Sequence, residues 1–142
     1  MKEQDPIAEA RRYVANAAEI IQKSKLDPKT ELYKDKKYVR IAGDTLWKGC
    51  LIALDAVFEV RKGKGRPSIE KYKEAVGKRD RKLLDFVNVG YETMHLCMGY
   101  DGNKDQNNVL VFTIEYLVFL RFVISVMAVS FVQTPIAINE LR

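Results

Sequence analysis

The residues of this chain best equipped for chemistry lie between Arg81 and Gly102, in the run RKLLDFVNVGYETMHLCMGYDG. It contains the only histidine, His95, with Glu92 and Asn88 upstream and Tyr100 downstream. If the run is one helix, Arg81, Asp85, Asn88, Glu92 and His95 fall within roughly 80° of one another at about 100° per residue. An imidazole beside a carboxylate can act as acid, base or ligand, so His95, Glu92 and Asn88 are the catalytic candidates. The same stripe also reads as a solvated helix face. Arg81 and Asp85 have the spacing of a helical ion pair, and His95 near the helix end suits the dipole.

Three further patterns bear on chemistry. Glu92-Thr-Met-His95 has the Glu-x-x-His spacing of di-metal bundles, which need two such motifs and further carboxylates. With one histidine in the chain, no metal site or cofactor is expected. Asp101, Asn103, Asp105 and Asn107 alternate like the start of a calcium loop, but Gln106 stands where glycine is needed and Phe112 where the bidentate glutamate is needed. A polar turn capping the next helix is the simpler reading. Finally, residues 61–82 hold ten basic and three acidic side chains, a surplus of +7 against +5 for the whole chain. Arg61, Lys62, Lys64 and Arg66 stand beside Gly63, Gly65 and Pro67, a composition suited to phosphates. Only Tyr72 interleaves an aromatic, so base stacking is not implied. The segment is either a charged connector or the site of an anionic partner. The ligand-binding candidates are Arg61, Lys62, Lys64, Arg66, Arg81, His95 and Tyr100.

At 142 residues the chain is expected to form one helical domain, 1–142, with a real core. Hydrophobic content of 47% and charged content of 30% exclude a disordered chain. Cys50 and Cys97 sit in apolar helical patterns and read as buried thiols of a reducing compartment, not as a disulfide framework. The start MKEQDPIAEA has no apolar core of a secretion signal. Residues 109–132 are long enough to span a bilayer, but Arg121 would lie mid-membrane at a cost of roughly 3 kcal/mol. A cytoplasmic protein with a centrally buried fifth helix, and no membrane, is expected.

No run alternates with period two, so no strand is expected. Five helical segments are. Asp5 caps the first, with Pro6 at its first position, and Leu26-Asp27-Pro28 ends it. The second runs from about Thr30 to Lys62. Ala42, Leu46, Gly49, Ala53, Ala56 and Val60 form one seam, and Trp47, Leu51, Leu54 and Phe58 a second, so it belongs at the centre of a bundle. Ser68 caps a short third helix from Ile69 to about Val76, broken at Gly77. The fourth covers about Arg79 to Met98 with Gly99 as its stop. The fifth starts near Asp105 and ends before Pro135. The fold class is all-α: an up-and-down bundle of four main helices plus one short helix. The fifth helix is apolar nearly all round, which points to a homodimer through part of it.

The first helix, the long helix from Tyr38 to Phe58 and the His95-bearing helix together resemble a HEPN-type bundle. The phrases GKGRPSIEKYKEAV and LLDFVNVGYETMHLCMGYDGN are similar to those of a family of uncharacterised bacterial helical proteins. In active HEPN ribonucleases an arginine a few residues upstream of the histidine joins it in attacking RNA at a dimer interface. Here those upstream positions hold Gly90, Val89 and Asn88. The resemblance thus implies a bundle, dimerisation, and a relic of nucleotide or RNA binding near His95 and Tyr100, without the ribonuclease chemistry. The expected function is a non-catalytic binding or interaction module for an anionic ligand such as a nucleotide or RNA. The alternatives are a hydrolase-type or metal-assisted enzyme centred on His95 and a purely structural homodimer.

Overall fold

The structure is a computed structural model that describes residues 5–58, 60 and 65–132, with side chains as far as residue 125. It is all-α, with five helices of which the second is the central one. Helix α1 spans Pro6–Gln22, and the Asp5 carboxylate accepts from the Ile7 amide at 3.0 Å, as its capping position requires. Helix α2 spans Lys36–Val57, starting later than the expected Thr30 and ending before the expected Lys62, with Phe58 already extended. Residues 26–33 form a tight hairpin instead: Leu26–Asp27 (β1) pairs antiparallel with Leu32–Tyr33 (β2), and Glu31 takes a positive φ of 58° in the turn. The expectation of no strand is corrected by these two-residue strands, too short to display alternation. Buried Ser24 ties the hairpin to α2. Its hydroxyl donates to the Asp35 carbonyl at 2.7 Å and accepts from the Asp35 amide at 2.9 Å, while the Asp35 carboxylate accepts from the Lys37 amide to cap the helix.

Both expected seams of α2 are buried: Ala42, Leu46, Ala53 on one side, and Trp47, Leu51, Leu54 on the other. Helix α1 packs along α2 for most of its length. Helix α3, Ile69–Arg79, runs through Gly77 rather than breaking there. Helix α4, Arg81–Gly90, opens on Asp80, whose carboxylate accepts from the Leu83 amide at 3.0 Å. It continues without interruption into a π-helical segment, Tyr91–Tyr100, which buries Met94 and Met98 against α2. The close approach depends on Gly43. A Cβ there would come within 2.5 Å of Met98 Cβ and 2.6 Å of the Gly99 amide nitrogen.

Helix α5, Gln106–Val132, is capped by the turn residues. Asn103 Oδ1 accepts from the Asp105 amide, and Asp105 Oδ1 accepts from the Asn107 amide. Those polar side chains are thus spent on the turn. Val109, Phe112, Tyr116, Phe119, Leu120 and Val123 face the core, and the buried Tyr116 hydroxyl donates to the Ala10 carbonyl at 2.7 Å. The opposite face leaves Leu110, Val111, Ile114, Leu117 and Val118 exposed. Residues 106–125 are the one described stretch long and apolar enough to cross a membrane by length and composition.

Candidate functional site

The change from α to π winding decides where His95 points. On a continued α-helix it would share a face with Asp85, Asn88 and Glu92. The wider π turns, closed by bonds such as that from the Asp101 amide to the Leu96 carbonyl at 2.8 Å, rotate it away. Its ring instead stacks on Trp47 of α2, with centroids 5.8 Å apart and planes at 29°. Tyr91, four residues upstream, lies 5.2 Å from it on another side and meets Trp47 edge-on at 5.6 Å. The single stripe expected from the sequence is therefore corrected. Glu92 stays exposed and Asn88 half-buried, and neither borders the space beside the imidazole.

That space is a cleft of about 240 Å³. Trp47 and Leu51 of α2 and Tyr91 and His95 of the π-helical segment line it, together with Arg66, Pro67, Ile69 and Tyr72 from the loop before α3 and its first turn. Arg66 is fixed there by α2 and α3 together. Its guanidinium donates to Asp55 Oδ2 at 3.2 Å and to the Tyr72 hydroxyl at 3.3 Å, while Tyr72 donates to Asp55 Oδ1 at 2.6 Å. Burial, and then the hydrogen bond to the Asp55 carboxylate, push the Tyr72 hydroxyl up to about 12. Lys73 Nζ adds a cation 5.3 Å from the Tyr91 ring centre. His95 Nδ1 is buried without a hydrogen-bond partner among the described residues. Such an orphan is uncommon in folded proteins and marks a group awaiting explanation.

The other candidates are scattered. Arg81 is exposed in the first turn of α4, outside the cleft. Tyr100, 75% exposed, borders a separate open groove of about 570 Å³ with Lys36, Arg40, Gly99 and Asp101. Arg61, Lys62 and Lys64 lie outside the described residues. No group of three or more His, Cys, Asp or Glu side chains is placed to hold a metal among the described residues. Sequence reasoning missed Trp47, Tyr91 and Tyr72 as site residues. Tyr91 was findable, because it precedes His95 by one helical turn. Trp47 carried only a core signal, since it belongs to an apolar seam.

A family model described as a domain of unknown function (DUF5618) matches residues 5–115. The chain belongs to this family. It is similar in structure to a protein of unknown function from Dyadobacter fermentans, at 35% identity and a TM-score of 0.77, over 87% of this chain and 97% of that one. No curated protein matches the chain. The residues shared with the DUF5618 family include every residue that lines the cleft and end within α5. The long apolar helix is therefore only partly inside the family region.

Proposed function

We propose that this member of the family is a non-catalytic binding module that takes a small anionic ligand in the cleft between His95 and Arg66. The observation that carries the reading is that the lone imidazole and an arginine of the basic segment line one aromatic-walled cavity. A guanidinium has five donors, and Asp55 and Tyr72 engage only part of that fork. The rest can face an anion bidentately. The His95 imidazole is a further hydrogen-bonding group lining the same space, and the Trp47 and Tyr91 rings line it too.

A nucleotide or the end of an RNA chain is an anion of this kind, and the surplus of positive charge over residues 61–82 supports it. An enzyme built on His95, Glu92 and Asn88 is the weaker reading, since the last two open elsewhere and Asp55 is committed to Tyr72 and Arg66. Kinship with HEPN-type bundles belongs to the proposal as well. It is supported by the packing of the His95-bearing segment on the long second helix, with the guanidinium supplied by the loop before α3 rather than by the same helix.

The test uses Trp47, the only tryptophan, as a reporter in the cleft wall. Its emission should change saturably on adding AMP, a short RNA or benzoate at low salt, and the affinity should fall as salt screens the site. No saturable change with any anion overturns the reading.

We further propose a soluble, cytoplasmic homodimer through α5. Leu110 and Ile114 are 57% and 51% exposed on a face continued by Val111, Leu117 and Val118. A contiguous apolar patch of this kind marks an interaction surface, and a two-fold pairing covers it with itself. Light scattering at tens of micromolar should give a dimer and, for Ile114→Glu, a monomer. A wild-type monomer, or a protein extracted only with detergent, refutes it.

A further inference from the structure

We infer that the ligand of the His95–Arg66 cleft is a small aromatic monocarboxylate: one planar ring with one acid group. This rests on the binding reading above and narrows it.

Size comes first. Pockets for drug-sized ligands run from about 300 to 1,000 Å³, and this cleft has about 240 Å³. One ring with a short acid arm fits. A base together with its sugar and phosphate would have to leave part of itself outside.

Shape comes second. Three ring side chains, Trp47, Tyr91 and His95, line the cleft together with Pro67 and Ile69. Such walls favour an offset-stacked planar group over an alkyl chain.

Charge comes third. Arg66 and Asp55, 3.2 Å apart, cancel in formal charge. Lys73 beside Tyr91 leaves a local surplus of about one positive charge. That balances a carboxylate. A phosphate monoester carries close to two negative charges at neutral pH and would be undercompensated. The planar guanidinium fork also matches a carboxylate edge in two parallel hydrogen bonds.

The experiment titrates the full chain with benzoate and phenylacetate and reads Trp47 emission excited at the indole edge. The comparators are acetate (charge without ring), benzyl alcohol (ring without charge), AMP and an octameric RNA. Benzoate and phenylacetate should saturate the signal, with acetate and benzyl alcohol each at least about tenfold weaker. Arg66→Ala should weaken benzoate by about ten- to a hundredfold, the range for a charged hydrogen bond. Arg66→Lys should also bind more weakly than wild type, because it keeps the charge but loses the fork. Lys78→Ala removes an exposed cation of the same basic segment that does not line the cleft, and should change benzoate affinity less than about threefold.

Equal binding of acetate and benzoate overturns the inference, as does an Arg66→Ala protein that binds like wild type. A Lys78→Ala loss as large as that of Arg66→Ala overturns it too, since the effect would then be one of general charge and not of the cleft. Arg66-dependent binding of AMP tighter than benzoate overturns the carboxylate assignment and leaves the binding module standing. Silence from every anion overturns both.

Discussion

Substituting Gly43 tests whether α2 and the π-helical segment are packed as closely as the site requires. A methyl at this position would lie 2.5 Å from Met98 Cβ, 2.6 Å from the Gly99 amide nitrogen and 2.7 Å from the Met94 carbonyl oxygen. Two of the three are backbone atoms of one rigid segment, so no single side chain can turn aside. Overpacking costs about 1–3 kcal/mol and sometimes more, and the upper end applies here. Replacing a mid-helix glycine by alanine returns about 1 kcal/mol of helix propensity. The steric term wins, and Gly43→Ala should be destabilised by about 2 kcal/mol. The entropy of unfolding is about 0.3 kcal/mol/K for a chain of this length, so Tm should fall by about 7 °C. Gly90→Ala is the internal control. Its nearest neighbours would be Met94 Cε and Trp47 Cζ3, both at 3.6 Å, ordinary contact distances. There the propensity gain survives, and Tm should stay level or rise by about 1–3 °C. Thermal and urea denaturation followed by circular dichroism give both numbers. A Gly43→Ala protein at least as stable as wild type, or a reversed order of the two variants, refutes the close packing on which the placement of His95 depends.

Two other outcomes follow from the same geometry. Tyr72→Phe removes the 2.6 Å bond to Asp55 and should lower stability by about 1 kcal/mol. The folded hydroxyl titrates near 12 rather than at its ordinary 10, so wild-type stability should drain away as pH rises through that interval; the variant should lack that alkaline loss in urea melts, and an unchanged alkaline loss counts against the network. Burial raises the Glu115 carboxyl above its usual range, opposed by the Thr93 hydroxyl. The folded state thus holds this proton more tightly, and its contribution to stability falls as pH rises through the carboxylate range. Glu115→Gln should then be the more stable protein at neutral pH, with the gap closing in acid; a less stable glutamine variant at neutral pH reverses the sign and refutes the assignment.

Much of the scaffold was legible because its signals are local and redundant. Asp5 before Pro6 fixed the start of α1, and the two seams of α2 predicted its central place. Asp105 was readable as part of the cap of α5. The hairpin was not legible, because two-residue strands carry no periodicity and are held by contacts distant in sequence. One is the bond from the Tyr33 amide to the Lys104 carbonyl at 2.8 Å. Gly77 was misread as a breaker because a helix tolerates one glycine when packing holds it, and here the open side of Gly77 receives Leu84. The site was half legible. His95 and Arg66 were both singled out, but in separate arguments, and only the fold shows that they share a cleft.

The failure at the fourth helix has a physical cause that bears on function. Reading YETMHLCMGY at 100° per residue assumes α winding, and nothing in its composition contradicts that. The π form is rare and recurs near functional sites, and it persists where tertiary contacts over-determine it. The contacts are visible here. Met94 and Met98 are buried against the Gly43 side of α2, while Tyr91 and His95 meet Trp47. On an α-helix Tyr91, His95 and Met98 would all fall within about 60° of one another, so α winding would not separate the methionine side from the aromatic side. The extra residue per π turn lets one segment satisfy both, and it leaves Nδ1 of His95 without a partner. A position where local helix rules yield to packing, and where a buried polar atom is left unsatisfied, is expected to be functional or strained. In this chain that position borders the cleft that Arg66 also lines, which is why the binding proposal is centred there.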